Sequence, residues 1–315
     1  MLIRERYPAL GELQGKDFLS SAQITAEQTR ELLELAADLK SGKLQIDLAG
    51  KTLGLIFSKA STRTRVSFSV AMARLGGQTL DLNPSVTQVG RGEPIADTAR
   101  VLSEYLDVLA IRTFAQADLE KYAHWASIPV INALTDLEHP CQALADYQTL
   151  QENFGELKGL TLCYVGDGNN VAHSLMLCGA LLGVNVRIGC PKGFEPDADV
   201  LKQASHIAAG KCLIEIVHDP ETAAKGAHGL YTDVWASMGQ EEEKENREQA
   251  FDGWCLDQKL LDLAEPNAIV LHCLPAYRGL EISAELMESK ASRIFDQAGN
   301  RLHAQQALLA ALLGG

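Results

Sequence analysis

The chain has 315 residues, long enough for two domains of about 150 residues each. It carries 28 Lys and Arg against 41 Asp and Glu, a formal net charge of −13, which argues against nonspecific nucleic-acid binding because that binding needs a basic surface. Hydrophobic residues make up 46% of the chain and charged residues 22%, a composition that excludes extensive disorder.

Short apolar runs alternate with amphipathic stretches in the first half of the chain. Strands are predicted at 52–57, 78–82, 108–112 and 130–133, and helices at 64–75, 95–105 and 119–126. This alternation predicts a mostly parallel sheet covered by helices on both faces. A long helix is predicted at 140–153.

The alternation then restarts near residue 150. Strands are predicted at 161–165, 185–188, 213–217, 230–232 and 268–272, and helices at 171–182, 200–209, 257–264, 283–288 and 301–313. The restart predicts an α/β protein of two doubly wound parallel-sheet domains, 1–150 and 151–300, followed by a helix in 301–315. We expect interdomain helices to join the domains and a ligand cleft to lie between them.

The seven Cys residues are odd in number and form no C-x-x-C pair, which favours a reducing compartment over a disulfide framework. No apolar run reaches the ~18 residues typical of a membrane-spanning helix. Residues 1–20 lack an apolar targeting segment. The sequence therefore predicts a cytoplasmic enzyme without membrane or nucleic-acid partners.

Two segments of the first half place polar residues where a predicted strand gives way to a helix. Ser61-Thr62-Arg63-Thr64-Arg65 offers hydroxyls, arginines and backbone N–H groups suited to a phosphate; a helix cap with two solvated arginines is the alternative. In Glu138-His139-Pro140-Cys141-Gln142, His139 can donate to a polarised carbonyl oxygen. The alternative there is a capping His beside a buried Cys.

Three segments of the second half also place polar residues directly after a predicted strand. Gly166-Asp167-Gly168-Asn169-Asn170-Val171 has Val171 where a dinucleotide-binding loop needs its third Gly, which disfavours NAD and favours a turn presenting Asn170. Asp233 ends a predicted strand and can hold an ammonium, while Ser237-Met238-Gly239 suits a lid, or a plain loop anchored by Trp235. In His272-Cys273-Leu274-Pro275, Cys273 is a nucleophile only if a base is paired with it.

The motifs S-T-R-T-R, H-P-C-Q, D-x-x-x-S-M-G and H-C-L-P occur in this order over nearly the whole chain. Together they resemble the aspartate/ornithine transcarbamylase family, and D-x-x-x-S-M-G resembles its ornithine-specific loop. Many relatives carry His where this chain has Tyr277, a position that is variable in the family.

The resemblance implies carbamoyl transfer from carbamoyl phosphate to the δ-amine of L-ornithine in arginine biosynthesis. It implies no metal or organic cofactor, and a homotrimer in which the loop of Gln88 reaches toward a neighbouring copy.

The resemblance also assigns residues. The catalytic ones are Arg63, Arg112, His139 and Cys273. The carbamoyl phosphate-binding ones are Ser61, Thr62, Arg63, Thr64, Gln88, Arg112, His139, Gln142, Cys273, Leu274 and Arg301, the last on a helix that returns to the first domain. The ornithine-binding ones are Asn170, Asp233, Ser237 and Met238.

Three other functions stay open. One is a transcarbamylase with another acceptor, such as N-acetylornithine, putrescine or aspartate; Asp233 favours an acceptor with a free α-amino group. Another is an NAD-dependent dehydrogenase, which the broken glycine pattern disfavours. The third is a noncatalytic relative that only binds a ligand or a partner.

Overall fold

The computed structural model describes residues 3–59, 61–83, 92–236 and 244–314. The chain divides into two compact units, which we call unit 1 (Met1–Gln148 and Asn300–Gly315) and unit 2 (Thr149–Gly299). The two divisions fall inside helices, Pro140–Phe154 and Ile294–Leu313. Within the described residues, no helix combines the length and apolar character needed to cross a membrane.

Unit 1 contains a four-stranded parallel sheet in the order β2-β1-β3-β4. Its strands are β1 (Thr52–Phe57), β2 (Gln78–Asp81), β3 (Val108–Arg112) and β4 (Val130–Leu134). Its helices are α1 (Ile3–Arg6), α2 (Ala26–Lys40), α3 (Thr62–Arg74), α4 (Ile95–Ser103), α5 (Gln116–Trp125) and the first part of α6 (Pro140–Phe154). Strands β1, β3 and β4 are apolar and almost wholly buried, as expected of parallel strands covered on both faces.

Unit 2 contains a five-stranded parallel sheet in the order β7-β6-β5-β8-β9. Its strands are β5 (Thr161–Val165), β6 (Asn185–Gly189), β7 (Ile214–Val217), β8 (Gly229–Thr232) and β9 (Ile269–His272). Its helices are α7 (Asn170–Leu182), α8 (Ala198–Ala208), α9 (Pro220–Ala224), α10 (Lys244–Ala250), α11 (Gln258–Leu263), α12 (Ala284–Met287) and the first part of α13 (Ile294–Leu313). The core between sheet and helices includes Val165, Leu230, Phe251 and Val270.

Each sheet has one point at which the strand order reverses. In unit 1 the chain runs from β1 to β2 on one side and then crosses to β3 on the other. In unit 2 it runs from β5 through β6 to β7 and then crosses to β8 on the opposite side of β5. Loops diverge at such a point and leave a crevice at the carboxyl ends of the strands, where open α/β sheets bind ligands.

The predicted strands and the predicted helices up to 283–288 are found within three residues at either end. The prediction for the last helix was wrong at its start, since α13 begins at Ile294 rather than Arg301. Gly299 lies inside this helix, and a glycine is about 1 kcal/mol less favourable there than Ala. The local sequence therefore does not predict the first two turns. Helix α2 was not predicted, although Thr25 and Gln28 form a capping box at its start.

Candidate active site

The first cluster of polar residues lies at the reversal point of unit 1. Ser61 precedes α3 as its N-cap but makes no side-chain capping bond; its Oγ instead accepts a hydrogen bond from Arg112 Nη1 at 3.1 Å. Arg112 ends β3 directly beside Phe57, the last residue of β1. The first backbone N–H groups of α3 are therefore not capped by Ser61, and such groups bind anions well.

Arg301 of α13 reaches the same helix terminus. Its Nη2 donates to Thr64 Oγ1 at 3.0 Å, and its Nη1 donates to Gln142 Oε1. Gln142 in turn donates from Nε2 to Asp146 Oδ1 at 2.7 Å. All four side chains are buried, so this chain of hydrogen bonds holds the guanidinium of Arg301 in a fixed position against α3 and α6.

His139 immediately precedes α6 and is buried. Burial lowers its pKa well below the ordinary 6.5, and the positive charges of Arg301, Arg112 and Arg63 lower it further. The imidazole is therefore neutral at neutral pH and offers a ring N–H as a hydrogen-bond donor. A neutral donor among guanidinium groups can polarise a carbonyl oxygen without acting as a strong acid.

Unit 1 thus brings together most of the residues assigned to carbamoyl phosphate. Thr62 and Arg63 occupy the first two positions of α3 and are exposed, whereas Thr64 is buried. Gln88 lies outside the described residues. Arg65 is the second arginine of the S-T-R-T-R segment, and it has other partners. It forms an ion pair with Asp81 and stacks on the ring of Phe57.

Cys141 is the second residue of α6 and is buried, with its Sγ donating to Asn132 O at 3.4 Å. Burial raises the pKa of the Cys141 thiol to about 12. The thiol therefore stays protonated at neutral pH and is unsuited to nucleophilic attack. Its contribution to this site is packing.

The second cluster lies at the reversal point of unit 2. Asp233 directly follows β8 and is buried. Its Oδ2 accepts a hydrogen bond from Asn169 Nδ2 at 3.0 Å, and its Oδ1 accepts one from Cys273 Sγ at 2.9 Å. A buried carboxylate with its orientation fixed in this way is suited to holding a substrate ammonium.

The turn that supplies Asn169 follows β5. Gly168 is required there because a Cβ would lie 2.2 Å from Pro196 N. Asn169 is the N-cap of α7, and Asn170, the residue assigned to ornithine, is the first residue of that helix and is half-buried. The turn thus leads into a capped helix, and Val171, where a dinucleotide-binding loop needs its third glycine, is the second residue of that helix.

The H-C-L-P segment is held by a buried pair of side chains. His272 Nε2 lies 3.1 Å from Glu281 Oε1, and its Nδ1 accepts a hydrogen bond from Leu274 N at 2.9 Å. Leu274 has a left-handed φ of 59°, a conformation that costs a non-glycine residue about 1 kcal/mol or more. The His272–Glu281 pair therefore holds Cys273 and Leu274 in a conformation that this sequence does not adopt by preference.

One potential metal-ligand atom from each of Asp233, His272 and Cys273 lies within 4.8 Å of the others. Both ring nitrogens of His272 already have hydrogen-bonding neighbours in Leu274 and Glu281. The group is thus a hydrogen-bonded anchor of the loop and fits a metal ion poorly.

Arg247 of α10 links the residues before the S-M-G segment to the turn that follows β5. Its Nη1 donates to Trp235 O at 2.9 Å and pairs with Asp167 Oδ2 at 2.9 Å. Ser237, Met238 and Gly239 lie outside the described residues. Helix α10 begins at Lys244.

Sequence reasoning missed the residues that hold the site residues in place. These are Asn169 beside Asp233, Asp146 beside Gln142, Glu281 beside His272, and Arg247 beside Trp235. Only Asn169 carried a usable signal, since Asn is a preferred N-cap residue directly before an apolar helix. The other contacts join separate elements and leave no local pattern.

Comparison with known proteins defines the class to which these two sites belong. Residues 16–152 match the family described as the carbamoyl-P binding domain of aspartate/ornithine carbamoyltransferase, and residues 158–312 match its Asp/Orn binding domain. Together the two matches cover nearly the whole chain. The chain belongs to the aspartate/ornithine carbamoyltransferase family.

Similar proteins within this family carry a more specific name. The chain is 69% identical over 307 residues to the ornithine carbamoyltransferase of Parasynechococcus marenigrum (strain WH8102), covering 98% of this chain and 96% of the relative. The solved structure of ornithine carbamoyltransferase from Pyrococcus furiosus is 50% identical, with a TM-score of 0.92 over 96% of this chain and 98% of that chain. A solved N-acetyl-L-ornithine transcarbamylase mutant is 31% identical, with a TM-score of 0.85 over 94% and 99% of the two chains.

Proposed function

We propose that the protein transfers the carbamoyl group of carbamoyl phosphate to the δ-amine of L-ornithine, giving L-citrulline and phosphate. The observation that carries this proposal is the hydrogen-bonded group of Asn169, Asp233 and Cys273, which fixes a buried carboxylate where an amino-acid ammonium can bind. The ornithine carbamoyltransferases similar to the chain support the same acceptor. A role of this reaction in arginine biosynthesis is part of the proposal.

The phosphate of carbamoyl phosphate binds in unit 1, at the N-terminus of α3 and beside guanidinium groups. The residues proposed for it are Ser61, Thr62, Arg63, Thr64, Gln88, Arg112 and Arg301. The residues proposed for the carbamoyl group are His139 and Gln142 of unit 1, together with Cys273 and Leu274 of unit 2. The lowered pKa of His139 supports this role, because a neutral ring N–H can stabilise negative charge that develops on the carbonyl oxygen.

Ornithine binds through its amino-acid head. Asp233 pairs with the α-ammonium, and Asn170 at the start of α7 contributes a side-chain amide. Ser237 and Met238 are the other two residues proposed for ornithine. Since Asp233 is buried, its charge is poorly screened by water, and a positively charged head is favoured over a neutral one.

The reaction begins when the neutral δ-nitrogen attacks the carbamoyl carbon and forms a C–N bond. The carbonyl oxygen takes negative charge in the tetrahedral intermediate, near Arg63, Arg112 and His139. The C–O bond to phosphate then breaks, phosphate leaves with the electron pair, and the nitrogen loses a proton. Phosphate is already a good leaving group, so positioning and charge stabilisation suffice, without a cofactor. A lysine-like δ-amine has a pKa of ~10.4, and kcat/KM therefore rises with pH through the neutral range.

The active assembly in this proposal is a homotrimer. Exposed apolar side chains on unit 1 support an interface. Val66 and Val70 lie one turn apart on α3, and Leu80 lies on the edge strand β2; their exposed fractions are 53%, 37% and 49%. Light scattering tests the assembly: three copies per particle are expected for the wild type, and a monomer would contradict it. The cytoplasmic location stays a prediction from the cysteine content.

An acceptor series tests the proposed reaction. Purified protein is mixed with carbamoyl phosphate and, in separate reactions, with L-ornithine, N-acetyl-L-ornithine, putrescine or L-aspartate, and the carbamoylated product is measured. Turnover with ornithine is expected. Turnover with only another acceptor would overturn the assignment of Asp233, and no turnover with any acceptor would favour a noncatalytic protein.

A further inference from the structure

The amide of Asn169 is held in one orientation by the first turn of α7. Its Oδ1 accepts hydrogen bonds from Val171 N at 2.9 Å and Ala172 N at 3.3 Å. Tyr164 OH donates to the same oxygen at 3.3 Å. Backbone N–H groups can only donate, so the oxygen of the amide must face the helix and the nitrogen must face away from it.

Tyr164 keeps its proton and therefore keeps donating. The side chain is fully buried, and burial raises its pKa well above the ordinary value, with Asp233 raising it further. Because three donors converge on Asn169 Oδ1, rotation of the amide would leave buried donors without a partner, which is unfavourable.

The nitrogen of this fixed amide meets Asp233. Asn169 Nδ2 lies 3.0 Å from Asp233 Oδ2, while Cys273 Sγ donates to Oδ1. The two donors approach different oxygens of the carboxylate, one from the β5–α7 turn and one from the segment after β9. Together they define the rotation of the carboxylate about its terminal bond, which is otherwise a soft torsion.

We propose that Asn169 is a positioning residue for ornithine, one that fixes the direction of the Asp233 carboxylate by linking it to the N-terminus of α7. This inference rests on the proposed function, in which Asp233 binds the α-ammonium. Asn169 itself acts through Asp233. The sequence N-N at 169–170 thus combines two roles: the first amide orients the carboxylate and the second contributes to the substrate site.

Two substitutions separate this role from helix capping. Ser and Asp both cap helices about as well as Asn. Asn169→Ser therefore keeps an oxygen for the N–H groups of α7 but removes the donor to Asp233. Asn169→Asp keeps the cap and puts an acceptor where Asp233 requires a donor, and two carboxylates so close tend to share one proton.

Steady-state kinetics at pH 6 to 8 test the proposal, with each variant compared with wild type at the same pH so that protonation of ornithine cancels. Asn169→Ser is expected to raise the KM for ornithine about tenfold or more at every pH, with the KM for carbamoyl phosphate changed less than about twofold. Asn169→Asp is expected to show a larger defect at pH 8 that shrinks toward pH 6, because the shared proton then supplies the missing donor.

Asp257→Ser is the matched control. Asp257 caps α11 in the same unit, accepting hydrogen bonds from Lys259 N and Leu260 N, and it has no proposed role in substrate binding. This variant is expected to keep the wild-type KM for ornithine. An unchanged KM in Asn169→Ser, or an equal rise in Asp257→Ser, would overturn the positioning role while leaving the reaction intact. Absence of citrulline formation by the wild type would instead overturn the proposed function, and this role with it.

Discussion

Arg301 Nη2 donates to Thr64 Oγ1 at 3.0 Å although 237 residues separate the two in the sequence. The same guanidinium donates to Gln142, so one side chain near the end of the chain links the N-termini of α3 and α6. Both contacts are buried. A planar group with donors in a fixed fork can make both bonds at once, whereas an ammonium on a flexible stem cannot hold the same geometry.

Arg301→Lys is therefore expected to weaken carbamoyl phosphate binding while leaving ornithine binding nearly unchanged. Losing one hydrogen bond to a charged group costs about 1.5–3 kcal/mol, which corresponds to a rise in KM of about 10- to 150-fold. Steady-state kinetics with each substrate varied in turn measure this effect. Arg100→Lys, at an exposed position of α4, is the control. An Arg301→Lys variant as active as that control would contradict the assignment.

Arg63→Ala and Arg112→Ala are each expected to lower kcat by about 10²–10³-fold, since removing one donor to a developing oxyanion typically costs about 3–4 kcal/mol. Single-turnover rates with both substrates saturating measure the effect on chemistry. Arg74→Ala provides a matched control, because Arg74 ends the same helix and is exposed. Turnover near that of the control in either variant would remove that arginine from the reaction.

His139 gives a dependence of stability on pH. Its folded-state pKa is lowered well below the ordinary 6.5, first by burial and then by Arg301, Arg112 and Arg63. Below pH 6.5 the unfolded chain binds a proton here that the folded chain does not, so the contribution of this residue to stability falls as the pH falls. The slope is at most about 1.4 kcal/mol per pH unit.

Urea unfolding of the wild type and His139→Asn at pH 7.5, 6.5 and 5.5 measures this contribution. The free energy of unfolding of the wild type relative to the variant is expected to decrease between pH 6.5 and 5.5 and to stay nearly constant above 6.5. A difference that is flat over the whole range, or that grows as the pH is lowered, would show that the imidazole is not held neutral.

Cys273 is expected to act as a hydrogen-bond donor and not as a covalent nucleophile. Cys273→Ser keeps a donor to Asp233 and should stay within about tenfold of the wild-type kcat/KM for ornithine, whereas Cys273→Ala loses the donor and should fall further. Intact-protein mass spectrometry after mixing with carbamoyl phosphate alone should show no added carbamoyl group. A carbamoyl adduct on Cys273 would establish the covalent route.

Most of the fold could be predicted because parallel strands buried on both faces are continuous apolar runs. Strands β1, β3 and β5 match their predicted limits to the residue, and Arg112, His139 and Asp233 could be placed at strand ends for the same reason. The first turns of α13 could not, because Gly299 interrupts the local helical pattern.

The geometry within the site was less accessible to sequence reasoning. The contact of Arg301 with Gln142 spans 159 residues, and only the family resemblance pointed to it. Asn169 and Asn170 are chemically identical neighbours, so the sequence does not reveal which amide caps α7 and faces Asp233. Such contacts depend on where separate elements meet in the folded chain.

The most direct test of the proposed function compares L-ornithine with N-acetyl-L-ornithine as acceptors. The amount of carbamoylated product is measured in both reactions by the same assay. The two acceptors share the δ-amine and differ in the charge of the α-nitrogen, the group that Asp233 is proposed to bind. A kcat/KM at least about 100-fold higher for ornithine is expected, since pairing with a buried carboxylate is worth about 3 kcal/mol or more. Equal or better turnover of N-acetyl-L-ornithine would contradict the assignment of the acceptor.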